Sequence, residues 1–328
     1  MELSRRRVVV TGGAGFIGSH VVDELVRVGA DVVAIDDLSV GNRQNLREAQ
    51  TRGARLVIGD VRDQKMLESE LRGAALVLHM ACDNLRASLA NPERSHDVNA
   101  TGTLRTALAA VDAEVDRFVY VSSSEAYGSA VRAPMDEEHP LRPTTVYGAA
   151  KAAGELYSQS SMRAYGLPVT VIRPFNSYGP RSHAVGTSAE VIPKITTRIL
   201  AGLSPVIFGD GSQTRDFTWV EEVARGIVQA AGCDELVGDA INIAYGRGVS
   251  VADICSLLLE ILGSDLEPTF TEARPGDVEH HYADTTKARE LLGFEAVVPI
   301  REGLERYVRW FQSRGETELV GADAVRNW

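Results

Sequence analysis

Six short apolar runs recur through the first half of the chain, each followed by a stretch with a different rhythm. RVVVT is followed by Ile17, Val21, Val22, Leu25 and Val28, which fall at helical spacing until Gly29. That is the pattern of a helix with one buried face. DVVAIDD, RLVIGDV, ALVLHMA, RFVYVSSS and PVTVIRPF repeat the strand-like texture. Because each run is nearly continuous rather than alternating, each predicts a parallel strand covered by helices on both faces. Strands and helices in alternation predict an α/β fold, a Rossmann-type doubly wound parallel sheet. From about Phe175 the texture changes to more Pro and Gly, longer loops and two isolated amphipathic segments, VADICSLLLEILG and IREGLERYVRWFQSRG. Residues 1–175 are therefore expected to form the dinucleotide-binding domain, completed by about 215–245. Residues 176–214 and 246–328 are expected to form a smaller C-terminal α/β substrate-binding domain, and ETELVGADAVRNW reads as a weakly ordered tail.

Composition narrows the function classes. A chain of 328 residues, 44% hydrophobic and 24% charged, exceeds the size of about 250–300 residues at which single cores stop growing. The balance of 34 basic against 45 acidic residues, net −11, argues against a broad nucleic-acid or anionic-membrane surface. Cys82, Cys233 and Cys255 have neither zinc nor redox spacing, so the expectation is a reducing cytoplasm, no disulfide framework and no metal. The opening MELSRRRVVVTGG has basic residues, but its apolar run stops after three valines. Neither export nor a membrane span is expected from it.

Candidate chemistry begins where the first strand ends, at Thr11-Gly12-Gly13-Ala14-Gly15-Phe16-Ile17-Gly18. Gly12, Gly15 and Gly18 permit a tight turn, a close approach to a pyrophosphate and close helix–strand packing, while Phe16 and Ile17 at the helix start offer free N–H groups to an anion. Asp36 ends the next strand, where a carboxylate accepts from a ribose 2′-hydroxyl and repels a 2′-phosphate, so NAD is favoured over NADP. Asn42-Arg43 nearby leave open an arginine facing a phosphate. Asp60-Val61 ends the third run and suits adenine, or an ordinary turn.

A second constellation surrounds SSSEAYG. A strand that buries Phe118, Val119 and Val121 has no packing use for Ser122, Ser123, Ser124 and Glu125 unless its end opens on a polar ligand. Tyr147 and Lys151 lie one helical turn apart on the same face. An ammonium beside a phenol favours the phenolate, lowering a pKa of about 10. Lys151 also reaches a nicotinamide ribose in such an arrangement, although an exposed surface pair has the same spacing.

Together TGGAGFIGSH, the serine cluster and YGAAK, with RPFNSYGPR, FGDGSQTRDFTWVEEVARGI and ARPGDVEHHYADTTKARELLGF, resemble the extended short-chain dehydrogenase/reductase family. The likeness is to its NAD-dependent nucleotide-sugar epimerases and dehydratases and runs from Val8 to about Phe311. It implies that Ser123 bonds the sugar O4 and helps pass its proton to Tyr147, the base, while a hydride moves from sugar C4 to NAD. Ser122 is expected only to cap the strand end. Glu125 matches the base that removes the C5 proton in 4,6-dehydratases, and Ser123-Ser124-Glu125 resembles the triplet of GDP-mannose dehydratases and UDP-glucuronate decarboxylases, with Ser124 on the substrate. The segment through DDLSVGNRQNL resembles UDP-hexose 4-epimerases. A 4-epimerase is the expected reading, a dehydratase or decarboxylase the alternative, and a non-catalytic NAD- and nucleotide-binding protein the alternative of another class.

The resemblance also implies that Arg215 and Arg274 clamp the nucleotide diphosphate and that Asn176 touches the diphosphate or the sugar. Val191 and Ile192 are then expected near the base, and Asp277 on the ribose or behind Arg274. Cys82 is expected as a buried small residue without chemistry, and His183, His280 and His281 as solvated or structural. SHDVNATGTLRTALAAV and VYGAAKAAGELYSQSSMRAYG match the helices that make a four-helix bundle across a homodimer in that family.

Overall fold

The computed structural model describes residues 1–184, 189–273 and 278–314. Its strands in chain order are β1 (Arg7–Thr11), β2 (Asp31–Asp36), β3 (Arg55–Ile58), β4 (Leu76–His79), β5 (Arg117–Val121), β6 (Val169–Pro174), β7 (Asn176–Tyr178), β8 (Val206–Phe208), β9 (Thr214–Trp219), β10 (Ala240–Ile243), β11 (Gly248–Ser250), β12 (Thr269–Thr271) and β13 (His280–His281). Seven of them form a parallel sheet in the order β10-β6-β5-β4-β1-β2-β3. The order reverses between β1 and β4, where Thr11 stands opposite His79, and the carboxyl ends there open a crevice.

All six expected strands are present. Alternate side chains enter opposite layers: Val8 and Val10 pack with Val21, Leu25 and Ile227, whereas Val9 packs with Val33, Val77 and Phe118. Every residue of β4, β5, β6 and β10 is buried. β3 departs from the expectation of two covered faces, because it is the edge strand and leaves Arg55 and Ile58 exposed.

The smaller lobe is built on β11-β9-β13, with β7 joining β9. Its core holds Tyr178, Phe217, Trp219, Ile254, Leu258, Leu304 and Tyr307. The chain crosses back through helix Val220–Gly232 and β10, which closes the large sheet, so β9 belongs to the small lobe.

One charged network ties these layers together. Arg173 on β6 and Glu155 on helix Val146–Tyr165, 5% and 1% exposed, form a bidentate pair at 3.0 and 2.7 Å. Arg173 also donates to the Tyr127 hydroxyl and the Glu137 carbonyl, both at 2.9 Å, and Tyr127 donates to Asn242 on β10 at 2.7 Å. Breaking a buried pair leaves an uncompensated charge, at a cost of about 3–5 kcal/mol, whereas replacing both members by apolar residues is often neutral. Glu155→Leu is therefore expected to lose about that much stability in urea titration, and Glu155→Leu with Arg173→Met to regain most of it. Equal losses in the two variants would show that the pair contributes by packing rather than by charge.

Candidate active site

The glycine loop is shaped by backbone contacts that exclude side chains. A Cβ on Gly12, whose φ is +69°, would lie 2.8 Å from the Ala81 backbone, and one on Gly18 would run into the Gly12 carbonyl. Gly15 differs: an added Cβ meets only the Gly12 oxygen, at 3.2 Å, so its outer side is open. Helix Phe16–Arg27 starts there with no side chain capping it, leaving the first-turn N–H groups of Phe16, Ile17 and Gly18 for an anion. This cradle, which side chains would fill, fits the pyrophosphate of a dinucleotide.

Asp36 lies beside the cradle. Its carboxylate accepts from Ala14 N–H and Leu38 N–H, both at 2.9 Å, and burial pushes its pKa up. Arg43 is exposed. Asp60 accepts from the Arg62 guanidinium at 2.5 Å and its N–H at 2.8 Å, and Arg62 holds its carboxyl below the usual range. Val61 is buried against Gly102.

At the end of β5 the chain turns through Ser124–Ala126, which Ser123 caps by accepting from Glu125 N–H at 3.2 Å. Helix Val146–Tyr165 starts at Thr145, whose hydroxyl accepts from Gly148 N–H at 3.0 Å. Gly148 lets this helix close on the turn, since a Cβ there would sit 2.5 Å from the Glu125 carbonyl oxygen. The result brings the Tyr147 side chain up to Ser123. Lys151, 2% exposed, donates to the Val121 carbonyl at 2.9 Å, its nitrogen 6.0 Å from the Tyr147 ring centre.

The electrostatics differ from the expected lowered phenol. Although part of Tyr147's surface stays open, desolvation holds its pKa well above 10; the Cys82 sulfur and Glu125 raise it further, while the Ser123 hydrogen bond lowers it. Lys151 is pushed down by burial, against the pull of Cys82 and Glu155. Removing both groups from water disfavours the charged form of each, and the ammonium faces a carbonyl.

Other positions also differ from expectation. Ser122 caps nothing with its side chain: its N–H donates to Ile172 at 2.7 Å, while its hydroxyl is buried without a partner among the described residues. Cys82 is exposed rather than buried, because the chain leaves the core after Met80 and runs past Tyr147 and Lys151. Ser124 is buried, and Glu125 is half-buried beside the phenol.

On the substrate side, Asn176 is half-buried with its Oδ1 enclosed and unpaired among the described residues. Arg215 donates to the carbonyls of Thr214 at 2.9 Å and Val278 at 2.7 Å. Val191 opens helix Val191–Leu200 half-buried, whereas Ile192 is a core residue of the small lobe. Arg274 and Asp277 lie outside the described residues. His183 faces Glu190 at 3.3 Å, His280 is exposed, and His281 is wholly buried. The motifs did not single out Asp216, whose buried carboxylate accepts N–H groups from Tyr245, Gly246 and Ala283. Its only signal was an acid inside the strand TRDFTW.

Among the described residues no group of His, Cys, Asp and Glu could hold a metal, and no helix is long and apolar enough to cross a membrane. Residues 8–244 match the NAD dependent epimerase/dehydratase family. A UDP-glucose 4-epimerase of Mycolicibacterium smegmatis is 35% identical over 315 residues, 94% of this chain and 100% of that protein. The crystal structure of UDP-glucose 4-epimerase with UDP-glucose from Thermotoga maritima superposes with a TM-score of 0.88 at 37% identity, covering 94% of this chain and 99% of that one. DesIV, a dTDP-glucose 4,6-dehydratase from Streptomyces venezuelae with NAD and TYD bound, gives 0.90 at 35% identity, with 96% and 99% covered.

Beneath the site His79 is enclosed between Thr11, at 2.8 Å, and Thr103, at 3.0 Å, and burial lowers its pKa from 6.5 to about 3. Unfolded chains protonate this residue near pH 6.5 and the folded one does not, so stability falls as pH drops through that window. Between pH 6.5 and 5 the loss is about 2 kcal/mol. His79→Gln is expected to show a flatter stability curve from pH 7 to 5 by that amount in urea titrations; parallel curves would mean that His79 is not held neutral.

Proposed function

The chain belongs to the NAD dependent epimerase/dehydratase family, and from that membership we propose that it is a nucleotide-sugar 4-epimerase working through a transient 4-keto sugar. The observation that carries the reading is the convergence of Tyr147, Ser123 and Glu125, with Lys151 one turn away, at the mouth of the crevice. Bound in the cradle of Gly12, Gly15, Phe16, Ile17 and Gly18, with Asp36 on its ribose and Asp60 and Val61 toward its adenine, NAD supplies the acceptor for the C4 hydrogen and the means of returning it.

The protein's own groups handle the proton. Ser123 hydrogen-bonds the sugar's 4-hydroxyl and relays its proton to ionised Tyr147, and the reverse transfer completes the epimer. Lys151, held on the Val121 carbonyl one turn away, is placed to reach the nicotinamide ribose. Arg215 and Asn176 hold the diphosphate end of the substrate, with Arg274, Val191 and Asp277 completing that pocket and Ser124 on the sugar.

Glu125 supports a second reading. A carboxylate beside the phenol can remove the C5 proton of the 4-keto sugar, which is acidified by the neighbouring ketone, as a 4,6-dehydratase requires; a decarboxylase instead loses carbon dioxide from C5 and takes up a proton from solvent there. Incubation with UDP-glucose, dTDP-glucose and UDP-glucuronate in deuterated water separates the two. The epimerase reading expects the 4-epimer with no deuterium on carbon; solvent deuterium in the sugar would establish the Glu125 chemistry instead. Tyr147→Phe is expected to lower turnover by about 10²–10⁴-fold, and Glu125→Gln to leave epimerisation largely intact. A Tyr147→Phe protein as active as the wild type would remove the acid–base assignment.

We also place the protein in the cytoplasm as a homodimer. Three free cysteines suit a reducing compartment. Helix Val146–Tyr165 leaves Leu156 and Tyr157 exposed at 61% and 36%, and Leu89 on its neighbour Leu85–Ala90 is 70% exposed. A second copy packing helix on helix would cover this face. Light scattering is expected to give twice the chain mass of 35.4 kDa, and Leu156→Glu to give the monomer. A wild-type monomer at micromolar concentration would exclude the dimer.

A further inference from the structure

We propose that His281 is a positioning residue that locks the Ser123-Ser124-Glu125 turn to the strand carrying Arg215. The proton-transfer hydroxyl and the diphosphate clamp are thereby held in one geometry. This rests on the reading above and assigns a role to a side chain that the motifs left as solvated or structural.

His281 is wholly buried on β13, and the register of β13 on β9 sets it opposite Arg215. Its Nε2 lies 3.2 Å from the Ser124 carbonyl. A carbonyl only accepts, so Nε2 carries the proton and Nδ1 is a bare lone pair. Nδ1 is enclosed with no partner among the described residues. The imidazole therefore makes one directional bond, and that bond runs to the catalytic turn.

The ring has little freedom to make any other. Phe175 packs against it at 5.2 Å between ring centres. Its own segment is fastened over the next three residues: Met135 N–H donates to Tyr282 at 3.0 Å, Asp284 N–H donates to Met135 at 2.8 Å, and Ala283 N–H donates to Asp216 at 3.1 Å. Arg215 on β9 and His139 on the segment after β5 oppose a second proton, as does burial. The ring thus stays a neutral strut. From it the connection passes through the Ser124 peptide to Ser123 and Glu125, the two groups that face Tyr147.

Three variants test this with NAD present. His281→Leu removes the donor and keeps the bulk; His281→Asn offers an amide near the Nδ1 position, which does not reach Ser124; His281→Gln offers one near Nε2. Turnover is measured with UDP-glucose and dTDP-glucose, and UDP and dTDP binding by calorimetry. Leu and Asn are expected to lower kcat by about tenfold, as for one lost hydrogen bond, with nucleoside diphosphate affinity unchanged because the Arg215 strand stays in place. Gln is expected to restore most of kcat. Full kcat in the Leu variant, equal damage in Gln and Leu, or affinity falling together with kcat would each overturn the role. A wild-type protein that turns over no nucleotide sugar would instead overturn the function proposed above, and this role with it.

Discussion

An ammonium inside a protein must be given partners or lose its proton, and Lys151 is that group here. Its nitrogen is taken out of water and set on the Val121 carbonyl, the last of β5. The contact requires that β5 end where it does, that the helix start at Val146, five residues before Lys151, and that glycines allow the helix to sit close. Gly148 gives access to the Glu125 carbonyl and Gly154 to the Tyr120 hydroxyl, neither of which tolerates a Cβ. The same approach that buries Lys151 delivers Tyr147 to Ser123. Catalytic geometry and the packing of one helix are thus a single constraint.

Burial carries an electrostatic consequence for the chemistry. With phenol and ammonium both desolvated, the resting pair is biased toward neutral forms. Glu155, one turn beyond Lys151, offsets part of this by raising the lysine, and Arg173 holds Glu155 in a bidentate grip. The surroundings of the pair thus extend from the crevice into the sheet.

Much of this was legible in the chain. Continuous apolar runs gave six strands in their places, and the glycine spacing gave the cradle, because both depend on residues close in sequence. Tyr147 and Lys151 were legible as one helix face. Their protonation was not, since it is set by burial in the folded chain and by Cys82, Glu125 and Glu155 around them. Cys82 illustrates the same limit: a small apolar residue after a buried strand reads as core, yet the crevice turns it outward. Ile192 was read as pocket wall and is core, because which face of an amphipathic helix meets the small lobe depends on elements distant in sequence. His281 and Asp216 lie inside recognisable segments that gave them no role; His281 reaches Ser124 across 157 residues of chain and Asp216 reaches Ala283 across 67.

Those distant contacts answer a problem that any enzyme of this build faces. The proposed base sits on the large sheet's side and the proposed diphosphate clamp on the small lobe, and a misplacement of about 1 Å between such groups is costly to rate. Apolar packing resists separation but permits sliding, because it has no direction. Hydrogen bonds to backbone groups fix direction, and at this junction they are what the fold uses: Asp216 gathers three N–H groups from two segments, Asn242 reaches Met135, and His281 reaches Ser124. Burying a carboxylate, an amide and an imidazole costs desolvation free energy that apolar residues would not incur. That expense is intelligible if the junction is selected for alignment of the two halves of the site rather than for stability alone.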